Sequence, residues 1–177
     1  MEELSESRKR NMRAIKARDT KPELLIRQGL HTRGFRYRIA PKALPGKPDI
    51  WLPKYNVAIF INGCFWHLHL CHLSHIPNTR KQFWSDKLTG NVARDKKNMS
   101  ALLNEGKRVL VIWECALKGK ERIPEPSVFM LISTWIKSGA VFGELSGTGL
   151  EAVNETAQAL CKLNADDFTT PPPENGS

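Results

Sequence analysis

A chain of 177 residues with 41% hydrophobic residues fits a single globular domain with its own core. The sequence contains no run of about 18 apolar residues, the length needed to span a membrane. Its charged N-terminal segment also lacks the apolar stretch of a secretion signal, so we expect a cytoplasmic protein. The formal net charge of +9, divided into +14 over residues 1–140 and −5 over residues 141–177, favours a polyanionic partner such as nucleic acid over a merely soluble basic surface.

Basic residues are concentrated near the N-terminus. Residues 8–38 contain eleven lysines and arginines against two acids, a composition typical of segments that contact phosphate. We therefore expect residues 1–20 to form a basic arm. The sequence Thr20-Lys21-Pro22-Glu23 has the pattern of a capping box with proline in the first turn. This pattern predicts a helix over about 21–33 that stops at Gly34.

The remaining elements are predicted from hydrophobic periodicity. Strands are predicted at 35–39, 49–52, 56–62 and 108–113, and helices at 79–104, with a break near Gly90, and at 126–138. A loop rich in cysteine and histidine is expected over 63–77. Beyond residue 140 the pattern fades, and residues 168–177 are expected to be disordered. This order of elements predicts an α/β fold in which helices flank a mixed β-sheet.

The segment from Cys64 to His72 concentrates side chains that bind metals. It holds two cysteines and three histidines in nine residues. Structural zinc takes four such ligands, so a closed site needs one from elsewhere, and Cys115 is the natural candidate just past a predicted strand. The alternative is a set of buried thiols and surface histidines. Four cysteines in a chain of this size do not suggest a disulfide scaffold, and Cys161 is expected to be a bystander.

Three further features each have a chemical and a structural interpretation. Asp49 opens a predicted strand after a turn, where a carboxylate can hold Mg²⁺ for phosphodiester hydrolysis, although turn aspartates are common. Asp95 either orients a histidine or is a solvated helical acid. The aromatic residues Phe65, Trp66 and Trp84 either wedge between DNA base pairs or pack over the metal site.

Several uncommon motifs occur in an order that resembles the very-short-patch repair (Vsr) endonucleases, from about Asn11 to Lys120. The motifs are Asn11-Met12-Arg13-Ala14-Ile15, Arg18-Asp19-Thr20, Leu44-Pro45-Gly46-Lys47-Pro48-Asp49, Gly63-Cys64-Phe65-Trp66-His67, Phe83-Trp84, Asn91 with Arg94-Asp95, and Trp113-Glu114-Cys115. The resemblance implies a restriction-endonuclease-like fold with a structural zinc site. It also implies an enzyme that nicks one DNA strand 5′ to the thymine of a T:G mismatch.

The resemblance assigns roles to residues of the expected active site. Asp49 would hold catalytic Mg²⁺ together with the main-chain carbonyl of Ile61. His67 would be the general base, oriented by Asp95, and Glu23 would lie near the site. The implied zinc ligands are Cys64, His69, Cys71 and Cys115, and the implied DNA contacts are Phe65, Trp66, Trp84, Arg13 and Asn62.

The resemblance also implies a biological setting. A T:G mismatch arises when 5-methylcytosine deaminates, so the expected partner is mismatched double-stranded DNA in a bacterial cytoplasm, with a functional link to a DNA cytosine methyltransferase. A monomer is expected, with an endonuclease domain over 21–140 and a C-terminal extension over 141–177 that lies outside the resemblance. The alternatives are a restriction endonuclease of the same fold and a zinc-containing DNA-binding protein without activity.

Two positions depart from the family pattern next to the active site. Ile61-Asn62 stands where the family often has threonine and histidine. A main-chain carbonyl is available from any residue, so Ile61 can still contribute it. Asn62, however, lacks the imidazole that would serve as an accessory donor near the phosphate. Leu68 and Leu70 replace histidines on either side of His69, so fewer imidazoles compete as metal ligands.

Overall fold

The computed structural model describes residues 19–165. Most of the expected basic arm, including Arg13, and the segment 168–177 that was expected to be disordered lie outside these residues. Within residues 19–165, no helix is long and apolar enough to cross a membrane.

A six-stranded mixed sheet organises the chain, with its strands in sequence order. The strands are β1 (Arg38–Ile39), β2 (Ile50–Leu52), β3 (Val57–Asn62), β4 (Arg108–Trp113), β5 (Phe142–Ser146) and β6 (Gly149–Val153). The three central strands β3, β4 and β5 run parallel to one another, while β1, β2 and β6 are paired antiparallel. The carboxyl ends of β3 and β4 therefore meet at one edge of the sheet.

In the described part of the chain, four helices cover the two faces of the sheet, as the α/β prediction requires. They are α1 (Lys21–Thr32), α2 (Lys81–Asn104), α3 (Glu125–Lys137) and α4 (Thr156–Asn164). Leu110 and Ile112 of β4 belong to the core formed with α1 and α3, whereas Val109 and Val111 belong to the core formed with α2 and α4. This alternation follows from the two-residue period of a strand. The predicted fold class, a mixed sheet flanked by helices, is confirmed.

The start of α1 follows the predicted capping box. The Thr20 hydroxyl accepts a hydrogen bond from the main-chain N–H of Glu23 at 3.4 Å. The Glu23 carboxylate in turn accepts one from the main-chain N–H of Asp19 at 3.0 Å. The first bond satisfies a donor that the first turn leaves without a helical partner, as in a capping box. The second bond differs from that pattern, because Glu23 accepts from Asp19, the residue before the N-cap, and not from Thr20.

Three predictions about elements need correction. Helix α2 continues through Gly90, whose surroundings are open, because an exposed glycine weakens a helix without breaking it. The strand predicted at 35–39 is only the two residues of β1, Arg38–Ile39. Phe35 is instead bound to the end of α1, because its main-chain N–H donates to the main-chain carbonyl of Leu30. Beyond residue 140, where the periodicity fades, β5, β6 and α4 continue the same sheet and its helical cover.

Candidate active site and metal site

A cleft of about 500 Å³ opens at the edge of the sheet where β3 and β4 end. The expected catalytic residues Glu23, Asp49, His67 and Asp95 all line it, although they come from α1, the start of β2, the loop after β3, and α2. Ile61 and Asn62 of β3 and Trp66 line it as well. The structure thus brings together residues that span more than seventy positions in the sequence.

Asp49 lies directly before β2, and the antiparallel pairing of β2 with β3 holds it beside Ile61. One of its carboxylate oxygens accepts a hydrogen bond from the main-chain N–H of Ile61 at 2.7 Å. Burial raises the pKa of Asp49 from 3.8 to about 6; the charge of Glu23 adds to the effect, while the Ile61 bond, Arg27 and His67 oppose it. A divalent cation at this carboxylate would offset the cost of burying its charge.

His67 and Asp95 form a hydrogen-bonded pair at the cleft. The Nδ1 atom of His67 faces Oδ2 of Asp95, across 28 positions of sequence. An aspartate on Nδ1 favours the tautomer with its proton there, which leaves Nε2 as an acceptor. Asn91, one turn before Asp95 on α2, donates a hydrogen bond to the main-chain carbonyl of Trp66 at 3.1 Å. This bond holds the loop that carries His67 against α2.

Three side chains of the cysteine- and histidine-rich loop and Cys115, which follows β4, converge into one cluster, and Cys161 is not among them. The ligand atoms of Cys64, His69, Cys71 and Cys115 all lie within 4.8 Å of one another, so the cluster could hold a metal ion. Three cysteines and one histidine form a donor set that suits tetrahedral zinc. All four cysteines of the chain are free thiols.

The surroundings of the cluster also suit a metal. Each of its three sulfurs accepts a main-chain N–H, with Cys115 donating to Cys64, Leu73 to Cys71 and Gly147 to Cys115 at 3.3–3.4 Å. Such bonds stabilise the thiolate form that binds metals. Burial raises the pKa of the Cys64 and Cys115 thiols, so without a cation the charged form is disfavoured.

His69 is held in the form and orientation that a metal ligand needs. Its Nδ1 lies 3.6 Å from the Cys115 sulfur. Burial lowers the pKa of His69, which favours the neutral ring. Trp113 stacks on the imidazole with the ring centroids 4.3 Å apart and the planes within 10°. The ring plane is therefore set by the strand end that also presents Cys115.

The three aromatic residues expected to contact DNA form one cluster beside the cleft. Ring centroids lie 5.0 Å apart for Phe65 and Trp66, 5.5 Å for Phe65 and Trp84, and 6.0 Å for Trp66 and Trp84. Phe83 extends the cluster and is 43% exposed, and the Lys87 ammonium lies 5.6 Å from the Trp66 ring centroid. An aromatic surface with a cation at its edge suits contact with bases and phosphates.

Sequence reasoning missed three residues around these sites. Arg27 is buried and paired with Glu23, although charged helix residues are usually exposed. Glu114 lines the cleft and accepts a 3.4 Å hydrogen bond from the main-chain N–H of Cys64. Gly147, in the turn between β5 and β6, bonds to Cys115 from the region where periodicity had faded. Of these three residues, only Glu114 could have been identified from the sequence, because it belongs to the motif Trp113-Glu114-Cys115.

This combination defines a class of protein. A partly buried carboxylate directly before a strand and a histidine–aspartate pair face one cleft of a mixed α/β sheet, which is the arrangement of a restriction-endonuclease-like nuclease. A family model described as DNA mismatch endonuclease Vsr matches residues 4–73. DNA mismatch endonuclease Vsr of Escherichia coli (strain K12) is 38% identical over 144 residues, covering 81% of this chain and 92% of the relative. The chain belongs to this family of DNA-repair endonucleases.

Other relatives carry names that refer to nicking. Type II nicking enzyme V.NmeAIP of Neisseria meningitidis serogroup A is 49% identical over 109 residues, covering 62% of this chain and 78% of the relative. Type II nicking enzyme V.XorIIP of Xanthomonas oryzae pv. oryzae is 42% identical over 112 residues, covering 63% of this chain and 82% of the relative.

Proposed function

We propose that this protein makes a single nick in double-stranded DNA, on the 5′ side of the thymine in a T:G mismatch. The observation that carries the proposal is that Asp49 and the His67–Asp95 pair face one cleft beside an aromatic cluster. The cleft offers the groups needed to hydrolyse a phosphodiester, and the cluster offers a surface that could enter a weakly stacked base step.

The proposed catalytic metal is Mg²⁺, held by the Asp49 carboxylate and the main-chain carbonyl of Ile61. Both are hard oxygen donors of the kind that Mg²⁺ prefers. Asp49 is fixed by its bond to the Ile61 N–H, so a single pairing of β2 with β3 positions both donors. When bound, the metal would stabilise charge on the phosphate and increase the acidity of water. Glu23 lines the same cleft and would interact with groups near the proposed Mg²⁺.

His67 is the proposed general base. With the Nδ1 proton directed to Asp95, Nε2 can accept a proton from the attacking water. Asp95, which is hydrogen-bonded to Nδ1, would then stabilise the imidazolium that results. The proposed zinc in the cluster of Cys64, His69, Cys71 and Cys115 is structural, because four protein ligands leave no open position. It would hold the loop that carries both His67 and Trp66.

A single cut is favoured over cleavage of both strands. The described residues form one such catalytic cleft, which can act on one phosphodiester at a time, and we propose that the enzyme works as a monomer. The names of the Neisseria and Xanthomonas relatives describe nicking enzymes. The mismatch would come from deamination of 5-methylcytosine, so we propose a functional link to a DNA cytosine methyltransferase and action on bacterial chromosomal DNA in the cytoplasm.

Paired duplexes test this proposal directly. Two labelled DNAs that differ only in T:G or C:G at one position are incubated with the zinc-loaded protein and Mg²⁺, across a panel of flanking sequences. We expect one nick, 5′ to the mismatched thymine, that Asp49→Ala abolishes and His67→Ala slows by roughly 10²–10⁴-fold. Cleavage of both strands of the C:G duplex would instead indicate a restriction endonuclease. Binding without cleavage in every sequence context would indicate a non-catalytic DNA-binding protein.

A further inference from the structure

Arg27 is an arginine buried beside the cleft, and nothing in the proposed chemistry uses it. It lies one turn after Glu23 on α1 and is 7% exposed. Its Nη2 atom pairs with Oε2 of Glu23 at 3.2 Å, and its Nη1 atom pairs with Oδ1 of Asp19 at 2.7 Å. The guanidinium therefore bridges two carboxylates, one of which lines the cleft.

Asp19, Glu23 and Arg27 are joined by hydrogen bonds around the Glu23 carboxylate. Asp19 adopts a left-handed conformation, with φ of 56°, and its main-chain N–H donates to the same Oε2 atom that Arg27 contacts. Within residues 19–165, the two hydrogen bonds that the Glu23 carboxylate accepts, from Asp19 and Arg27, both go to Oε2. The Oε1 atom is therefore available to a group in the cleft. Backbone conformations of this kind are often found where a protein orients functional groups.

Stability alone does not account for this arrangement. Removing two charges from water costs as much free energy as their attraction usually returns, so a buried ion pair stabilises a fold little compared with apolar residues of similar size. In addition, Nε of Arg27 is buried and has no hydrogen-bond partner in the part of the chain that the structure describes. The packing of α1 could be achieved with less cost by an apolar pair.

We propose that Arg27 is a positioning residue of the active site: its guanidinium, held by Asp19, fixes the Glu23 carboxylate at the cleft and offsets its negative charge. The inference rests on the proposed function, because it gives Glu23 a part in nicking. Without the guanidinium, Glu23 would lose one of its two bonds and would face Asp49 as an uncompensated second acid. The nicking step should then slow, although Arg27 itself is not among the residues that line the cleft.

A double-mutant cycle tests this role. Single-turnover nicking rates at saturating T:G duplex and Mg²⁺ are measured for wild type, Arg27→Met, Glu23→Gln and the double variant, together with thermal unfolding and DNA affinity of each zinc-loaded protein. We expect Arg27→Met to slow nicking roughly 10- to 100-fold with little change in DNA affinity. In the Glu23→Gln background the same substitution should change the rate by less than about threefold, because its target is already altered.

Two controls separate positioning from folding. Arg33→Met removes another arginine of the same region, which stacks on Phe129 at 4.2 Å and does not line the cleft, and it should leave the rate unchanged. Arg27→Lys keeps the charge but cannot bridge two carboxylates in the same way, so it should recover only part of the rate. If Arg27→Met is insoluble, the lysine variant replaces it in the cycle, in both backgrounds.

The outcomes are distinct. Equal slowing by the Arg27 substitution in both backgrounds, in step with the loss of thermal stability, would overturn the inference in favour of a structural role. A Glu23→Gln variant as fast as wild type would overturn it as well, and would leave the proposed function intact. Failure of wild type to nick the T:G duplex would count against the proposed function itself, and the cycle would then be repeated on whichever duplex wild type cleaves.

Discussion

At the residue scale, Asp49 shows how folding and the proposed chemistry make opposite demands. Its carboxylate is partly buried and close to Glu23, and this burial is the main reason that its pKa is raised to about 6. In the unfolded chain the pKa is near the ordinary 3.8, so the folded state holds this proton more tightly. The contribution of Asp49 to stability is therefore greatest below pH 3.8 and falls as the pH rises to about 6.

We predict that Asp49→Asn abolishes nicking but stabilises the protein when Mg²⁺ is absent. One pKa unit corresponds to about 1.4 kcal/mol, so relief of the buried charge adds at most about 3 kcal/mol at pH 8. The gain should disappear near pH 4, where the carboxyl is protonated in the native protein too. Urea unfolding at both pH values measures it. Asp86→Asn, at an exposed acid on α2, is the control; an equal gain there would contradict the explanation.

The sequence predicted the identity of the site residues better than their partners. Resemblance placed His67 with Asp95 and grouped the four cluster residues, and the structure brings both sets together. Arg27 could not be found in this way, because its burial depends on how α1 packs against the sheet. A helical arginine four residues after a glutamate is usually a surface pair, and only the three-dimensional structure distinguishes the two cases.

At the element scale, α1 packs closely against α3 through a glycine. A Cβ atom added to Gly29 would lie 1.9 Å from the tip of the Phe129 ring. We predict that Gly29→Ala destabilises the protein by about 1–3 kcal/mol, because the ring must shift inside a packed core. Gly90→Ala, in an open position of α2, should instead stabilise it by about 0.5–1 kcal/mol. Thermal unfolding distinguishes them, and a stabilised Gly29→Ala would contradict the packing.

The cysteine and histidine cluster connects the loop after β3 to the end of β4. We predict that Cys71→Ser loses bound zinc and is either insoluble or unfolds roughly 10 °C lower, because metal binding contributes directly to folding. Cys161→Ser is the matched control, since this exposed thiol on α4 lies outside the cluster and should leave zinc content and stability unchanged. Elemental analysis and thermal unfolding measure both effects. A zinc-free wild type that is folded and active would contradict the assignment.

The two strands that the sequence did not predict, β5 and β6, were missed for the same physical reason. Strands β5 and β6 have only five residues each, and β6 contains no fully buried residue to produce a periodic pattern. Their pairing is determined by contacts with β4 and by the turn at Gly147, where a Cβ atom would lie 2.9 Å from that of Glu121. Longer strands with continuous apolar runs, such as β3 and β4, were predicted from sequence because burial on both faces leaves a clear signal.

At the scale of the whole molecule, one short loop joins the three parts of the proposed mechanism. Between Gly63 and His72 the chain presents Phe65 and Trp66 of the aromatic cluster, the proposed general base and three of the four metal-cluster residues. The other two rings of the aromatic cluster, Phe83 and Trp84, lie on α2, which also carries Asp95. In the proposed mechanism, recognition of a distorted base step and orientation of His67 would therefore depend on the same segment, and a metal bound at the cluster would anchor it.

The aromatic cluster should contribute to mismatch recognition more than to general affinity. We predict that Trp66→Ala weakens binding to a T:G duplex by roughly tenfold and binding to the matched C:G duplex by less than about threefold. A mismatched step is already poorly stacked, so inserting a ring there costs less unstacking energy, and stacking on a base contributes about 1–3 kcal/mol. Fluorescence anisotropy with Ca²⁺ in place of Mg²⁺ measures both affinities without cleavage.

His67→Ala provides the complementary variant, because it removes the proposed base and leaves the rings in place. It should bind the two duplexes as wild type does while nicking slowly, so that recognition and cleavage separate on neighbouring residues of one loop. The ring centroid of Trp66 lies 5.0 Å from that of Phe65 and 6.0 Å from that of Trp84, so loss of the Trp66 ring could also loosen the loop. Equal weakening of both duplexes, accompanied by a lower unfolding temperature, would identify Trp66 as a packing residue and leave recognition to Phe65, Phe83 and Trp84.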